Sequence, residues 1–417
     1  MAPLTHAPGH HPAPLRDSRA PFHPWPQQER TMTANPLNGP AQDPRLDALL
    51  RQLNATRATN IGFPAAVDID YRNVAPLLAH LLNNVGDPDA DPTHPNHSKD
   101  LEREVLAFLA GLFRAPERWW GYITSGGSES NLYALYLARS RYPDGVVFHS
   151  AASHYSVPKA AHLLGMTTVV VDTQPNGEID YDQFARLVRW HRDRPAIVVA
   201  NIGTTMTEAI DDVGQIRTAL DRIGMTRRYI HSDAALAGIP LALADDPPGF
   251  DFADGADSIC VSGHKFLGTP LPCSAVIALR RHTAHLDQLV AYTGCADATV
   301  TGSRSGHAAV MMWSAIRKYG RDGLRARTYE GRELAVYTRL RLEEIGWPSW
   351  RNPEALTVVL RTPPPAVLKR WPLPTSGGWS HVICMPGVSR TQIDQFVNDI
   401  VNVTVPHDAP IAERASR

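Results

Sequence analysis

The chain has 417 residues, 43% hydrophobic and 20% charged, which is the balance of a globular protein with one large core or two ordinary ones. Its 41 basic and 42 acidic residues leave a formal charge of −1, which excludes a general electrostatic attraction for nucleic acid or an anionic membrane. No run of about eighteen apolar residues spans a bilayer, no apolar signal segment opens the chain, and Cys260, Cys273, Cys295 and Cys384 lack CxxC or metal-ligand spacing, so reduced thiols in a cytoplasmic protein without a metal are expected.

Residues 1–45 are crowded with Pro, His and small polar residues. They hold too little apolar surface to offset their ordering entropy, so a disordered tail is expected, and its irregularly spaced histidines predict no metal site. From about Leu46 short apolar runs alternate with amphipathic segments. Trp120-Gly-Tyr-Ile-Thr124 leads through Ser125-Gly-Gly-Ser-Glu-Ser-Asn131 into a helical stretch over Leu132–Arg139. Val146–His149 reads as a strand, followed by a helix over Val157–Leu164. Thr168–Asp172, Ala196–Asn201, Tyr229–Asp233 and Ser258–Ser262 follow at strand length. Continuous apolar runs separated by helices predict a parallel sheet buried on both faces. The pattern then changes. Helices over Ala308–Tyr319 and Gly331–Ile345 precede strands at Leu356–Leu360 and His381–Met385, which predicts a smaller α+β domain, with Pro363-Pro-Pro365 in a connecting loop.

Four segments at strand ends carry chemistry. The Gly126-Gly127 turn with Ser128, placed between a strand and a helix, suits a phosphate, because glycines expose backbone amides and the helix terminus adds partial positive charge. His154, in Ser153-His-Tyr-Ser156, can stack on a flat ring or shuttle a proton. Asp233 ends its strand and can keep a pyridine nitrogen protonated, with the small Ala234 and Ala235 beside it. Lys265, in Ser262-Gly-His-Lys-Phe266, follows a buried strand at the edge where open α/β sheets bind ligands, and a partly desolvated lysine is what Schiff-base chemistry needs. Alone each has an ordinary reading as a helix cap, a core histidine or a loop lysine. Their order together is more telling.

That order resembles the group II pyridoxal-phosphate amino-acid decarboxylases. Ile123-Thr-Ser-Gly-Gly-Ser-Glu-Ser-Asn131, His154-Tyr-Ser-Val157, Gln174-Pro-Asn-Gly-Glu-Ile-Asp180 and Asn201-Ile-Gly-Thr-Thr205 are similar to the branch of bacterial histidine decarboxylases and plant-type serine decarboxylases. So are Val261-Ser-Gly-His-Lys265, Thr301-Gly-Ser-Arg-Ser-Gly-His307 and Ser380–Met385. The likeness runs in order over roughly residues 57 to 402.

The resemblance implies an α/β, fold-type I (aspartate-aminotransferase-like) enzyme with a mainly parallel seven-stranded sheet and a small C-terminal α+β domain. Its parts would be the 1–45 tail, a 46–95 dimerisation segment, a large cofactor domain over 96–310 and a small domain over 311–417. It implies pyridoxal 5'-phosphate held by Lys265 as a Schiff base, with Asp233 on the pyridinium, His154 over the ring and Ala235 on the opposite face. Gly127, Ser128, Ser262 and His264 would hold the phosphate, with Thr204 near the ring. Ser303 would reach the phosphate from the partner of a homodimer, and Tyr292, in a mobile loop, would donate a proton. The expected reaction releases carbon dioxide from L-histidine, with L-serine or another amino acid of secondary metabolism as the alternative. An aminotransferase or carbon–sulfur lyase on the same fold, or a silent dimeric binding protein, are the competing readings.

The chain also departs from those relatives. They usually show Gly-Gly-Thr-Glu-Gly-Asn, where this chain has Ser128 and Ser130. Ser232 and Ser274 stand in His231-Ser-Asp233 and Pro272-Cys-Ser274, where Ala or Cys and Gly are commoner. Phe266 and Asn84-Val-Gly-Asp-Pro88 lean toward the serine branch, and Gln174-Pro-Asn-Gly177 toward histidine.

Overall fold

The computed structural model describes residues 43–404 apart from 93, 285, 287 and 291–294. The expected disordered tail therefore lies almost wholly outside the described residues. The chain divides at Asn54 into two units, the first ending within α1 (Pro44–Arg57). The second opens its regular structure with α2 (Lys99–Leu112), β1 (Trp119–Thr124) and α3 (Gly127–Arg141). Strands and helices then alternate through β2 (Val146–Ser150), α4 (Ser156–Leu163), β3 (Thr167–Val171), α5 (Tyr181–Trp190) and β4 (Ala196–Asn201). After α6 (Val213–Ile223), β5 (Arg228–Asp233) and α7 (Gly238–Ala242) come β6 (Ser258–Ser262) and β7 (Ser274–Leu279). Sequence dictates the boundaries. Asp180 and Asp212 accept from the third amide of α5 and α6, Gln183 and Gln215, and each such cap contributes about 1 kcal/mol.

Seven strands form one sheet in the order β1-β7-β6-β5-β4-β2-β3. The pairs from β3 to β6 are parallel, and β7 runs antiparallel to both β6 and β1. Because successive side chains point to opposite faces, each strand feeds two cores. Val146, Phe148, Val198, Ile230, Ile259 and Val261 pack on one side, and Val147, Ile197, Val199, Tyr229 and Cys260 on the other. Fully burying each such aliphatic or aromatic side chain stabilises by about 1.5–3 kcal/mol. This two-sided burial is why these strands read as unbroken apolar runs. It also brings the carboxyl ends of β2, β4, β5 and β6 to one edge. β1, running the same way as β6, ends there too.

β8 (Gln288–Val290) and β9 (Cys295–Asp297) pair with each other. α8 (Gly306–Glu344) follows, broken at Gly320, whose φ of 60° is a conformation open mainly to glycine. The two helices expected on either side of that position thus form one interrupted element. The remaining strands, β10 (Ser349–Trp350), β11 (Thr357–Arg361), β12 (Thr375–Ser376) and β13 (Trp379–Ile383), make an antiparallel sheet ordered β10-β11-β13-β12. α9 (Pro365–Arg370) and α10 (Arg390–Thr404) complete it. Its core joins Leu334 and Leu342 of α8 to Val358, Leu360, Val382, Ile393 and Phe396. Strand β13 starts two residues earlier than expected, because the Thr357↔Ile383 register starts the pairing and carries it back to Trp379. No described helix is long and apolar enough to cross a membrane.

Candidate active site

A cavity of about 310 Å³ opens at the carboxyl edge of the sheet, small among ligand-binding sites. Each wall is the first turn beyond a strand. Ser125 to Glu129 follow β1, His154 and Tyr155 follow β2, Gly203 and Thr205 follow β4, Asp233 and Ala235 end β5, and Ser262, His264 and Lys265 end β6. Asn131, one turn into α3, completes the lining. The sheet thereby gathers Lys265, Asp233, His154, Gly127, Ser128, Ala235, Ser262 and His264 from over a hundred residues of chain.

The turn entering α3 passes through Gly126, whose φ of 156° with ψ of 171° is a conformation open mainly to glycine, and the first helical residues are Gly127 and Ser128. Amides of a helix's first turn have no partner within the helix and attract anions. Ser125 closes the turn by donating its amide and hydroxyl to Glu129 Oε2, at 2.8 and 2.5 Å. A Cβ on Gly127 would lie 3.3 Å from Ser262 Oγ and 3.9 Å from Ala235 Cβ. Glycine there keeps the floor of the cavity open. The two arms of this cradle are tied together behind it by buried hydroxyls. Thr124 Oγ1 lies 2.8 Å from Ser130 Oγ, Ser130 donates to Ser274 Oγ at 3.0 Å, and Ser274 donates to the Val261 carbonyl at 2.9 Å. Ser130 and Ser274, 144 residues apart in the chain, thus touch each other.

Lysines are scarce, with five in the chain. Lys99 is buried and donates to the carbonyls of Asp87 and Ala90, Lys159 and Lys318 sit over the Tyr155 and Tyr319 rings, and Lys369 lies on α9. Lys265 alone lines the cavity. Burial pushes its amine below the usual lysine range, opposed by the Asp233 carboxylate. The neutral amine that attacks a carbonyl is favoured by that burial. Burial likewise lowers His154 and His264, with Lys265 adding to both. Asp233 Oδ2 accepts from Asn131 Nδ2 at 2.8 Å, and Oδ1 from the Ala235 amide at 3.3 Å. His154 Nδ1 lies 2.7 Å from Ser156 Oγ. Its ring is 4.2 Å from that of Tyr155, centroid to centroid.

Of the three remaining expected residues, two lie among the described residues and outside the cavity lining. Thr204 is buried, but its hydroxyl lies 2.8 Å from Thr207 Oγ1 and accepts from the Ala209 amide, closing a turn, while its neighbours Gly203 and Thr205 line the cavity. Ser303 accepts from Asn83 Nδ2 at 3.1 Å and is not among the lining residues. Tyr292 lies outside the described residues. Sequence reasoning did not single out Asn131, Glu129, Tyr155 or Thr205. Asn131 was visible only as the last letter of the glycine motif.

A doubly covered, mostly parallel sheet whose edge sets a desolvated lysine beside a strand-end aspartate, a histidine and a glycine turn is the layout of a fold-type I pyridoxal-phosphate enzyme. The chain belongs to the pyridoxal-dependent decarboxylase family, whose conserved domain matches residues 75–346. It is 42% identical to a histidine decarboxylase of Mesorhizobium japonicum over 364 residues, 87% of this chain and 98% of the relative. A histidine decarboxylase of Acinetobacter baumannii (strain ACICU) is 40% identical over 366 residues, 87% of this chain and 96% of that protein. Among solved structures, a variant of L-methionine decarboxylase from Streptomyces sp. 590, in complex with L-methionine methyl ester, superposes with a TM-score of 0.81. Its identity is 26%, over 88% of this chain and 96% of that one.

Proposed function

We propose that the protein converts L-histidine to histamine and carbon dioxide, with Lys265 as the residue that holds pyridoxal phosphate. The observation that carries this reading is the placement of Lys265, alone among the lysines, in a cavity that also holds Asp233, His154 and an open glycine turn. The histidine decarboxylases at about 40% identity over most of the chain support the substrate.

When bound, pyridoxal phosphate supplies an electron sink for the pair left behind as the α-carboxylate departs. The chain's own residues do the rest. Gly127, Ser128, Ser262 and His264 are the proposed phosphate holders, and they combine helix amides with short polar side chains. Asp233 is proposed to keep the pyridine nitrogen protonated, with Ala235 small enough to let a ring lie close and Thr204 behind it. His154 is proposed to stack over the ring. Lys265, whose burial favours the neutral amine, is placed to exchange with the substrate amine. Tyr292 is proposed to deliver a proton to the α-carbon, and Ser303 to complete the phosphate site of a partner subunit in a homodimer. Cytoplasmic residence is supported by the buried, unpaired thiols of Cys260, Cys273 and Cys384.

Incubating the holoenzyme with a panel of L-amino acids, and measuring amine and carbon dioxide, tests the reading. Histamine in stoichiometry with carbon dioxide supports it. Ethanolamine from L-serine at the higher kcat/KM overturns the substrate, and keto-acid products overturn the reaction.

A further inference from the structure

We propose that Asn131 is a positioning residue that joins Asp233 and His154 in one hydrogen-bonded chain of fixed direction, which sets His154 with its proton on Nε2. The proposal deepens the decarboxylase reading and rests on it for its catalytic meaning. Asn131 is buried at 2% exposure, and its amide has four neighbours. Nδ2 donates to Asp233 Oδ2 at 2.8 Å and to Ser156 Oγ at 2.9 Å. Oδ1 lies 3.0 Å from His231 Nε2 and accepts from the Cys260 thiol at 3.4 Å. A flipped amide would turn its oxygen on the Asp233 carboxylate and its NH2 group on the thiol, so the orientation is set by chemistry.

The direction of every other bond follows. Asn131 Oδ1 can only accept, so His231 Nε2 carries a hydrogen. His231 Nδ1 then accepts from Ser258 Oγ, 2.8 Å away. His231 is fully buried and stays neutral, since burial pushes its imidazole down to about 4. Downstream, Ser156 Oγ accepts from Asn131 and gives its own hydrogen to His154 Nδ1 at 2.7 Å, because a backbone amide already makes that nitrogen an acceptor. The Ser156 amide donates to the same nitrogen at 3.3 Å. With two donors on Nδ1, the proton of neutral His154 sits on Nε2. That ring lines the cavity, so the relay presents a defined donor there instead of a mixture of tautomers. The same amide fixes the position of Asp233 through the hydrogen it donates to Oδ2. Ser258, His231, Asn131 and Ser156 touch no reacting atom on this account. They act through the two residues that do.

Asn131→Asp keeps the shape and removes the NH2 group. The new oxygen faces Asp233 Oδ2, so the two carboxyls hold one proton between them. Ser156, no longer receiving a hydrogen, would donate to the new carboxyl and accept from His154, whose proton moves to Nδ1 at the expense of the 3.3 Å amide contact. The test is 15N NMR of the full-length holoenzyme labelled at histidine, with the His154 signals assigned through His154→Asn. The wild type is expected to show His154 protonated at Nε2 and Asn131→Asp to show it at Nδ1, with kcat lower by roughly 10²-fold or more and KM changed far less. Wild-type His154 carrying Nδ1–H, or Asn131→Asp retaining Nε2–H, overturns the proposal. Should Asn131→Asp fail to fold, Ser156→Ala and Ser156→Thr carry the test. Threonine is expected to recover the Nδ1 hydrogen-bond shift and much of the rate that alanine loses, and equal behaviour of the two overturns the relay. If the tautomer switches as described but no amino acid yields amine, the proposed function fails and the relay stands.

Discussion

Replacing Ser274 by glycine probes how the two arms of the proposed phosphate cradle are held together. Ser274 Oγ receives the hydrogen of Ser130 at 3.0 Å and passes its own to the Val261 carbonyl, one residue before Ser262. All three hydroxyls of the Thr124–Ser130–Ser274 chain are buried, at 3% exposure or less. Ser274→Gly removes two hydrogen bonds of about 1 kcal/mol each and adds a strand glycine costing about 0.5–1 kcal/mol. Ser130 can turn toward Thr124 to recover part of this, so about 1–2 kcal/mol is expected. Ser130→Gly loses a similar hydrogen-bond contribution and adds about 1 kcal/mol for glycine inside α3. The bond between the two serines is lost once in the double variant and counted twice in the singles. The double should therefore be less destabilised than the sum, by about 1 kcal/mol. Urea unfolding of the four proteins measures the cycle, and fluorescence titration with pyridoxal phosphate measures the cradle. Effects on stability that add within about 0.3 kcal/mol, or single variants whose cofactor affinity is unchanged, would refute the clamp.

Three further outcomes follow from the same geometry. Gly127→Ala sets a Cβ 3.3 Å from Ser262 Oγ and should weaken cofactor binding by about tenfold or more, which corresponds to about 1.4 kcal/mol, with little change in apoprotein melting; unchanged affinity would show that the turn does not face the phosphate. Asp233→Asn should keep the fold and some cofactor but lose turnover by roughly 10²-fold or more, and near-normal kcat would mean that another group protonates the ring. His231 titrates near 4 when folded against 6.5 for the free side chain, so its stabilisation is complete above about pH 6.5 and is lost as pH falls toward 4, by about 3 kcal/mol; a urea midpoint that is flat across that window contradicts its burial as a neutral ring.

What could be read from the chain, and what could not, divides by distance along it. Val146–His149 and Ala196–Asn201 announce a doubly covered sheet because both faces of each strand are apolar. Strand β7, Ser274–Leu279, is as apolar, yet it went unassigned. Its antiparallel placement between β6 and β1 depends on partners about 15 and 150 residues away rather than on any local pattern. Lys265, Asp233 and His154 were legible because each stands just past a strand, where an open α/β sheet gathers ligands. Asn131 was not, since its neighbours His231 and Asp233 are 100 and 102 residues distant. The turn that engages the Thr204 hydroxyl with Thr207 and Ala209 was not legible in sequence either, because it depends on the local backbone path after β4. The departures at Ser130 and Ser274 looked unrelated in sequence, and only folding revealed them as partners.

The central claim is that Lys265 holds the cofactor. Borohydride reduction of the holoenzyme, followed by proteolysis and mass mapping, tests it directly, because reduction fixes the cofactor to whichever lysine carries it. The account predicts the phosphopyridoxyl mass on Lys265 and on none of Lys99, Lys159, Lys318 or Lys369. A tag on any of those four, or reduction that leaves Lys265 unmodified in protein saturated with cofactor, would contradict it.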